Sequence, residues 1–389
     1  MELAQVQNQV RAQGLDGWLL FDHHVRDPIA YRILGLDAGG HVSRRWYYWI
    51  PAAGEPAKLV HAIEDGRLDR LPGEKRVYAS WQSHERHLRE VLAPARRVAM
   101  QYSPHCMIPV VSLVDAGTVD LVRSCGVQVV SSAALVQYFE ARWSDRQRAS
   151  HFEAGRRVDR VLRQAFRRIR SDIDRRGSSA EHSIARFILD RFRDEGLVTM
   201  DGPIVAANAN SSNPHYGPAA SNPQPIRNGD FVLIDLWAKL DSQGSVYYDI
   251  TWTGYCGDSP PDRIRSVFEI VAGARDRALA FVDSAVREGR EVRGWQVDDV
   301  ARGHIAAAGY GPEFVHRTGH SIGEEVHGNG ANMDNLEMRD ERPVIPETCF
   351  SIEPGVYLAD FGVRTEIDCY VGPDGACATG AVQTAVVRI

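Results

Sequence analysis

Four acidic residues and one histidine in the C-terminal part of the 389-residue chain constrain its fold more than any other feature. They are Asp235, Asp249, His320, Glu353 and Glu366. Each lies in a segment predicted to be a strand or a tight turn, so the five can meet only if distant segments fold together. Carboxylates held a few ångströms apart repel each other and raise one another's pKa unless cations neutralise them. The set therefore predicts a fold that gathers these side chains around two divalent cations, as in a two-metal hydrolase.

The first two acids belong to apolar or aromatic runs. Asp235 ends the apolar run 231–234, and Asp249 lies within 247–251, which is rich in aromatic and β-branched residues. A carboxylate at the end of a buried strand needs a charge partner or a metal ion. The alternatives are a salt bridge to Arg or Lys for Asp235 and an exposed strand position for Asp249. Neither residue, taken alone, distinguishes a metal ligand from these alternatives.

The other two acids lie near predicted turns. Glu353 ends an apolar run directly before a Pro-Gly pair. Further on, the alternation of a strand puts Arg364, Glu366 and Asp368 on one face. Taken alone, that strand is best explained by a polar outer face. The metal-binding interpretation therefore depends on the four acids taken together.

Three histidines, His316, His320 and His327, lie in a glycine-rich segment. Their spacing would suit one face of a helix, but glycines at positions 319, 323, 328 and 330 make a stable helix costly. Glycines also let backbone segments approach closely, as a crowded site requires. A fourth histidine, His215, lies in a polar loop rich in Asn and Ser, where a single histidine is usually a surface residue.

Charge and hydropathy argue against nucleic-acid and membrane partners. The net charge of -6 and the pI of about 6.2 leave no basic footprint for nucleic acid. The arginine-rich stretch 142–176 contains interspersed acids and no aromatic platform, which favours a solvated helix face. The apolar run 18–21 is too short for a signal sequence or a membrane span. Six scattered cysteines without a CxxC pair predict reduced thiols and a cytoplasmic chain.

Length and the pattern of apolar residues predict two domains. At 389 residues the chain exceeds the usual size of a single domain. Residues 1–143 alternate short strand-like and helical runs, which predicts an α/β domain. A capping box formed by Ser144 and Gln147 then opens a long amphipathic helix. Helices and strand pairs over residues 144–389 predict an α+β domain whose helices cover one face of a curved antiparallel sheet.

The order of the five candidate ligands and the motifs around three of them resemble the pita-bread metallopeptidases. The motifs are Gly-His-Ser-Ile-Gly around His320, Ile-Glu-Pro-Gly around Glu353 and Val-Arg-Thr-Glu ending at Glu366. This family includes methionine aminopeptidase, aminopeptidase P, prolidase and creatinase. Residues 16–20 and 29–31 resemble the creatinase/prolidase-type N-terminal domain. The resemblance thus covers nearly the whole chain, and it implies a pita-bread catalytic domain over 144–389 after a smaller α/β domain over 1–143.

The resemblance also implies how the metal ions are held. Asp235 would hold the first ion, and His320 and Glu353 the second. Asp249 and Glu366 would bridge the two ions. Mn²⁺ suits hard oxygen ligands with a single imidazole, and Zn²⁺ or Co²⁺ are alternatives. A hydroxide bridging the ions would attack the scissile carbonyl, and the active form would be a homodimer.

Catalytic and substrate-binding roles follow from the same resemblance. Glu353 would act as general base and then general acid, while His215 and His327 would steady the oxyanion and the leaving group. The Thr-Gly-His-Ser-Ile-Gly segment is most similar to that of prolidases, which implies hydrolysis of Xaa-Pro dipeptides. The carboxylate of a dipeptide needs a cationic partner, for which Arg364 with nearby His316 is the candidate. An arginine that only orients a metal ligand is an equal alternative.

Three departures from the family pattern leave the substrate open. The interval between Asp235 and Asp249 is longer by a few residues. Trp252 occupies a position commonly held by arginine, and residues 328–331 replace an acidic, proline-containing continuation. Peptide length and side-chain preference are therefore not fixed. Aminopeptidase P, or another amidohydrolase on this scaffold, is the alternative activity, and a non-catalytic binding protein is the alternative class.

Overall fold

The chain divides between Glu140 and Ala141 into two compact units, and a computed structural model describes residues 2–389. The sequence predicts that the second domain begins at Ser144. Trp143 lies with the second unit, because its backbone N–H donates to Glu347 O at 2.6 Å. The compact units thus divide three residues before the predicted start of the second domain, and the domain assignment itself stays a prediction.

Six strands and five α-helices build the first unit over residues 2–140. The strands are β1 (Gly17–Asp22), β2 (Trp46–Pro51), β3 (Ala57–His61), β4 (Glu74–Tyr78), β5 (Arg97–Met100) and β6 (Gln128–Ser131). The helices are α1 (Leu3–Ala12), α2 (Pro28–Leu34), α3 (Trp81–Leu92), α4 (Ala116–Arg123) and α5 (Ala133–Glu140). The strands form one mixed sheet in the order β4-β3-β2-β1-β5-β6, in which β1 is antiparallel to β2 and parallel to β5.

Helices cover both faces of this first sheet. Along β1, Trp18 and Leu20 pack in one apolar cluster with α1, α2 and α5. Leu19 and Phe21 pack in a second cluster with α3 and α4. A strand buried on both faces is continuously apolar, which explains the run 18–21. The predicted α/β character of this unit is confirmed.

Four α-helices and thirteen strands build the second unit over residues 141–389. The helices are α6 (Asp145–Arg176), α7 (Glu181–Asp194), α8 (Asp262–Arg287) and α9 (Gly294–Ala307). The first strands are β7 (Ser179–Ala180), β8 (Leu197–Val198), β9 (Ile204–Ala207), β10 (Pro225–Ile226), β11 (Phe231–Leu240) and β12 (Tyr248–Tyr255). The later strands are β13 (Ser321–Ile322), β14 (Thr348–Ile352), β15 (Gly355–Tyr357), β16 (Gly362–Arg364), β17 (Ile367–Val371), β18 (Ala376–Ala378) and β19 (Val387–Arg388).

The long helix α6 begins at the predicted capping box. Ser144 Oγ accepts from Gln147 N–H, and the Gln147 side chain accepts from Ser144 N–H. The helix ends at Gly177, whose φ of 77° is the left-handed conformation that favours glycine. Its apolar stripe packs, together with α7, on the face of β11 that includes Ile234. Helices α8 and α9 pack in another cluster, which includes Leu233 from the opposite face of β11.

The strands of the second unit are divided among several hydrogen-bonded sheets. One sheet has the order β19-β12-β11-β8 with β9 also paired to β11, and a second has the order β13-β14-β17-β18. Pro354 separates β14 from β15, because proline has no N–H to continue the ladder. Helices and mostly antiparallel strands occur together, so the α+β prediction is confirmed. Within residues 2–389, no helix combines the length and apolar character needed to cross a membrane.

Candidate functional site

One cavity in the second unit is lined by all nine residues selected from the sequence. Its volume is about 620 Å³, a size typical of small-molecule sites. The selected residues in its wall are His215, Asp235, Asp249, His316, His320, His327, Glu353, Arg364 and Glu366. The other wall residues are Asp201, Ile204, Asn213, Pro214, Trp237, Val315, Arg317, Val326 and Glu337. Distant segments therefore converge, as the pattern of carboxylates requires.

The hairpin of β11 and β12 carries Asp235 and Asp249 on one face. Asp235 is paired with Thr251, and Asp249 is paired with Trp237. Because side chains alternate along a strand, these four residues project to the same side of the sheet. Neighbours such as Ile234 project to the other side and pack with α6 and α7. The two acids thus face the cavity, and both are buried.

Backbone hydrogen bonds join two of the three remaining candidate ligands, His320 and Glu366, to the sheets. Ser351 N–H in β14 donates to His320 O at 2.8 Å, and Glu366 N–H donates to Thr251 O in β12 at 3.0 Å. His320 directly precedes β13, Glu353 directly follows β14, and Glu366 directly precedes β17. The ligands therefore stand at strand ends, where the backbone is fixed and the side chains reach into the cavity.

Gly319 is the position at which these segments approach most closely. A Cβ atom there would lie 1.8 Å from Ser351 O, far inside van der Waals contact. Gly319 O also accepts from Met333 N–H at 2.9 Å. Only a residue without a side chain lets the histidine segment lie against β14, which is the close approach expected from the glycine-rich motif.

His320 directs a lone pair toward two carboxylates. Its Nδ1 lies 3.3 Å from Ser321 O, so the ring carries its hydrogen on Nδ1 and leaves Nε2 unprotonated. Nε2 lies 3.6 Å from Asp249 Oδ2 and 3.4 Å from Glu353 Oε1. Burial, aided by the nearby Arg317 guanidinium, lowers the pKa of His320 to about 3. A neutral ring that faces two carboxylates with a lone pair is repulsive unless a cation lies between them.

Two carboxylate oxygens of the site lack the partners that a buried anion requires. Oδ1 of Asp235 and Oδ1 of Asp249 are buried and have no hydrogen-bond partner among residues 2–389. Burial, reinforced by neighbouring carboxylates, raises the pKa of Asp249 and Glu366 well above the usual range. Ligand atoms of Asp249, His320 and Glu366 all lie within 4.8 Å of one another. Oxygen donors with one imidazole fit divalent cations, which would satisfy these oxygens and balance their charge.

The raised pKa values predict how pH affects the metal-free protein. Folding favours the protonated forms of Asp249 and Glu366. This contribution to stability is complete below the unfolded pKa, about 4, and is lost as the pH rises through the higher folded pKa. The histidines of the site have lowered pKa values and add stability as the pH rises to about 6.5. We therefore expect the Tm of chelator-treated protein to fall between about pH 7 and about pH 9, and Mn²⁺ to raise it more at the higher pH. Thermal unfolding with and without EDTA measures this; an equal Mn²⁺ effect at both pH values would contradict it.

Arg364 is buried and bound on several sides. Nη2 donates to Asp235 Oδ2 at 2.5 Å, and Nε donates to Thr251 Oγ1 at 3.1 Å. Nη1 donates to the Tyr357 hydroxyl at 2.9 Å. Thr251 Oγ1 donates in turn to Glu366 Oε2 at 2.8 Å. With 3% of its surface exposed, Arg364 fits the alternative in which it orients metal ligands rather than binding a substrate carboxylate.

Tyr357 connects Arg364 to His316. Its hydroxyl lies 2.7 Å from His316 Nε2, and His316 Nδ1 lies 2.7 Å from Arg317 O. Burial lowers the pKa of His316 to about 4, so the neutral ring donates from Nδ1 and accepts the tyrosine hydrogen at Nε2. Both nitrogens of His316 are thus occupied. Tyr357 could not be selected from the sequence, because a tyrosine after a Pro-Gly pair has no signature of its own.

We expect Tyr357→Phe to lower the free energy of unfolding by about 1–3 kcal/mol, because it leaves His316 Nε2 without its donor in a buried site. Urea unfolding of the metal-free protein measures the change. Tyr310→Phe is the matched control, since the Tyr310 hydroxyl makes no hydrogen bond within residues 2–389, and we expect a change below about 0.5 kcal/mol. Equal values for the two variants would contradict a hydrogen-bonding role for Tyr357.

The two remaining histidines differ in their surroundings. His327 packs edge-on against His320, with ring centroids 4.3 Å apart, and desolvation of its ring lowers its pKa to about 4. His215 is exposed and lies on the loop that follows β9. A buried carboxylate, Glu181, anchors this loop by accepting from the Tyr216 hydroxyl at 2.5 Å. Both histidines therefore line the cavity and are exposed, His327 beside a candidate ligand and His215 on an anchored loop.

The three departures noted in the sequence have local explanations. Residues 239–240, which lie between Asp235 and Asp249, continue β11 and pair with β8. Trp252 packs on the α6 side of β12, away from the cavity. Gly330 N–H donates to Ser321 Oγ at 3.0 Å, and a Cβ at Gly330 would lie 2.5 Å from that oxygen. Segment 328–331 is therefore folded tightly against β13.

Comparison with protein families identifies the family that this site resembles. Residues 149–373 fit the model of metallopeptidase family M24. That span covers more than half of the chain and contains all five candidate metal ligands.

Individual relatives agree with the family match. The chain is 33% identical over 219 residues to the Xaa-Pro dipeptidase of Lactobacillus helveticus, which covers 56% of this chain and 54% of that protein. It is 33% identical over 174 residues to the Xaa-Pro dipeptidase of Pyrococcus furiosus, covering 44% and 45%. The aligned part thus spans about half the length of these curated relatives. The crystal structure of dipeptidase PepE from Mycobacterium ulcerans has the same fold, with a TM-score of 0.70 at 23% identity over 100% of this chain and 96% of that chain.

Proposed function

This chain belongs to metallopeptidase family M24, and on that premise we propose that it is a metal-dependent hydrolase of Xaa-Pro dipeptides. One observation carries the proposal: four carboxylates and His320 line one cavity, where Oδ1 of Asp235 and of Asp249 has no hydrogen-bond partner within residues 2–389. The names of the relatives support the choice of substrate.

The proposed centre holds two divalent cations. Asp235 would hold one of them, and His320 and Glu353 the other. Asp249 and Glu366 would be shared. Mn²⁺ matches this oxygen-rich donor set best, and Zn²⁺ and Co²⁺ are also compatible. When bound, the cations would neutralise the carboxylates, polarise the scissile carbonyl and make a water molecule acidic enough to supply the nucleophile near neutral pH.

Glu353 is the proposed proton carrier. Its Oε1 accepts from Ser351 Oγ at 3.0 Å, which orients the carboxylate at the cavity wall. In the proposed mechanism Glu353 takes the proton of the attacking water and passes it to the proline nitrogen. The amide nitrogen of an Xaa-Pro bond carries no hydrogen, so it needs this proton in order to leave as an amine.

His327 and His215 are the proposed donors to the substrate. Desolvation of its ring lowers the pKa of His327 to about 4, so it would donate from a neutral ring at neutral pH. A hydrogen bond to the oxyanion strengthens as charge develops on the carbonyl oxygen, and one to the departing nitrogen keeps the leaving group oriented. Arg364 would act on the reaction through Asp235, which it holds by an ion pair at 2.5 Å.

Aminopeptidase P is the second candidate activity, and the engagement of Arg364 favours it. A guanidinium already bound by Asp235, Thr251 and Tyr357 offers little to the C-terminal carboxylate of a dipeptide. A site without a carboxylate partner would accept longer peptides that begin with Xaa-Pro. The cavity volume of about 620 Å³ suits a dipeptide. The charged residues of the wall therefore decide between dipeptides and longer peptides.

The experiment that tests the proposal is hydrolysis of Ala-Pro, Gly-Pro and Ala-Pro-Ala by the Mn²⁺-loaded protein. We expect both dipeptides to be cleaved and the tripeptide to resist. Cleavage of the tripeptide alone would replace the dipeptidase by aminopeptidase P. A protein that cleaves none of the three in Mn²⁺, Zn²⁺ or Co²⁺ would overturn the proposal.

We also propose that the protein is a homodimer and is located in the cytoplasm. A homodimer is proposed from the resemblance to pita-bread metallopeptidases. The cytoplasm is proposed because six scattered cysteines form no CxxC pair, which is typical of reduced thiols. Sedimentation analysis at several protein concentrations tests the dimer.

A further inference from the structure

We propose that Arg317, and not Arg364, binds the C-terminal carboxylate of the dipeptide substrate. The inference rests on the proposed function, because only a dipeptidase must hold that carboxylate within the cavity. A carboxylate that leaves water needs a cationic or strongly hydrogen-bonding partner. The wall contains two arginines that could serve, Arg317 and Arg364.

The two arginines differ in what they already bind. The guanidinium of Arg364 donates to Asp235, Thr251 and Tyr357 and is almost completely buried. The guanidinium of Arg317 makes no ion pair or hydrogen bond with any residue in 2–389, and the residue is partly exposed. Of the two cations in the wall, Arg317 is therefore the one whose donors are available to a ligand.

The backbone at Arg317 is held on both sides, so the free guanidinium extends from a fixed base. Arg317 N–H lies 3.3 Å from Glu337 Oε1, and Arg317 O lies 2.7 Å from His316 Nδ1. The next residue, Thr318, donates through its N–H and its hydroxyl to Asp298 Oδ1 at 2.9 and 2.7 Å. A fixed base limits the entropy lost when the side chain orders on a ligand.

The charge of Arg317 reaches the candidate metal end of the cavity. Arg317 lines the same cavity as His320 and His327, and it lies three positions before His320 in the chain. The cation is thus close to the residues proposed to surround the scissile bond. In an Xaa-Pro dipeptide the carboxylate is separated from that bond by a single residue, which spans at most about 3.6 Å.

A carboxylate held at Arg317 explains a preference for dipeptides. In a tripeptide the carboxylate lies one residue farther from the scissile bond than in a dipeptide. At the position of the dipeptide's carboxylate a tripeptide has an amide, which carries no charge. An arginine–carboxylate contact with two parallel hydrogen bonds is charge-assisted and geometrically selective. Its loss is expected to weaken substrate binding by about 10- to 100-fold.

The test compares Ala-Pro with Ala-Pro-amide in the Mn²⁺-loaded protein and in Arg317→Ala, Arg317→Lys and Arg277→Ala. Arg277 is the matched control, because it is exposed on α8 and makes no hydrogen bond or ion pair within residues 2–389. We expect Arg317→Ala to lower kcat/KM for Ala-Pro by about 10- to 100-fold, mainly through KM, and to leave kcat/KM for the amide unchanged. Arg317→Lys should retain part of the preference for Ala-Pro over Ala-Pro-amide, and Arg277→Ala should retain all of that preference.

A binding measurement makes the result independent of turnover. The Mn²⁺-loaded variants are titrated calorimetrically with L-proline and with L-prolinamide. In Arg317→Ala we expect the affinity for L-proline to fall by about 10- to 100-fold and the affinity for L-prolinamide to stay unchanged. An equal effect of Arg317→Ala on acid and amide, or no effect on either, would overturn the inference while the dipeptidase proposal stands. Failure of the unsubstituted protein to cleave Ala-Pro would instead overturn the proposed function, and the inference with it.

Discussion

The Asp249→Asn substitution is expected to lower kcat for Ala-Pro by at least about 10³-fold, more than the usual cost of losing one oxyanion donor. Asp249 has a buried oxygen without a partner, and its other oxygen lies 3.6 Å from His320 Nε2. An amide of nearly equal size keeps the volume but loses the charge, and its N–H₂ group cannot coordinate a cation. We expect elemental analysis to find fewer than two Mn²⁺ per chain in this variant.

Stability of the metal-free variant distinguishes a lost ligand from a damaged fold. Folding of the metal-free protein favours the neutral form of Asp249, because burial raises its pKa well above the usual range. The asparagine side chain mimics that neutral form, so the metal-free Asp249→Asn protein should unfold at the same or a higher urea concentration than its parent near neutral pH. Asp241→Asn, at an exposed position of the same hairpin, is the control for turnover. Retained activity in Asp249→Asn would refute its assignment as a metal ligand.

The Gly319→Ala substitution is expected to lower the free energy of unfolding by about 3 kcal/mol or more. A Cβ atom there would lie 1.8 Å from Ser351 O, so β14 and the histidine segment must separate. Separation would also stretch the hydrogen bond from Ser351 N–H to His320 O, which is 2.8 Å long. Urea unfolding measures the loss of stability, and Mn²⁺ titration is expected to show weaker binding.

A second glycine provides a control of opposite sign. Gly303 lies within α9 on an exposed surface, and no atom lies within 4 Å of a Cβ built there. Gly303→Ala should raise the free energy of unfolding by up to about 1 kcal/mol, since alanine favours a helix over glycine. If Gly319→Ala changed stability by no more than Gly303→Ala, the close approach at Gly319 would not be needed for folding.

Residues whose chemistry restricts them to few environments could be selected from the sequence. Asp235 at the end of an apolar run required a partner whatever the fold, because burial of a lone carboxylate is costly. The glycines around His320 indicated close backbone approach, and Gly319 meets Ser351 as expected. These local signals, together with the resemblance to pita-bread metallopeptidases, select nine residues that line one cavity. Their roles as ligands and donors stay predictions.

Features that depend on tertiary pairing could not be selected in this way. Arg317 and Arg364 are the same residue type in similar polar motifs, and only their contacts distinguish a free guanidinium from a bound one. The hydrogen bond from Arg364 to Thr251 joins residues 113 positions apart. Nothing local to either residue predicts it. The hydrogen bond from Trp143 N–H to Glu347 O is another such pairing, since the capping box that follows Trp143 does not predict it.

We propose that the cavity gathers its carboxylates around a pair of cations. The most direct measurement is anomalous scattering from crystals of the protein soaked in Mn²⁺. Two anomalous peaks are predicted in the cavity, one contacting Asp235 and one contacting His320 and Glu353, with Asp249 between them. A cavity without peaks, or with these carboxylates turned away from one another into solvent, would contradict the account.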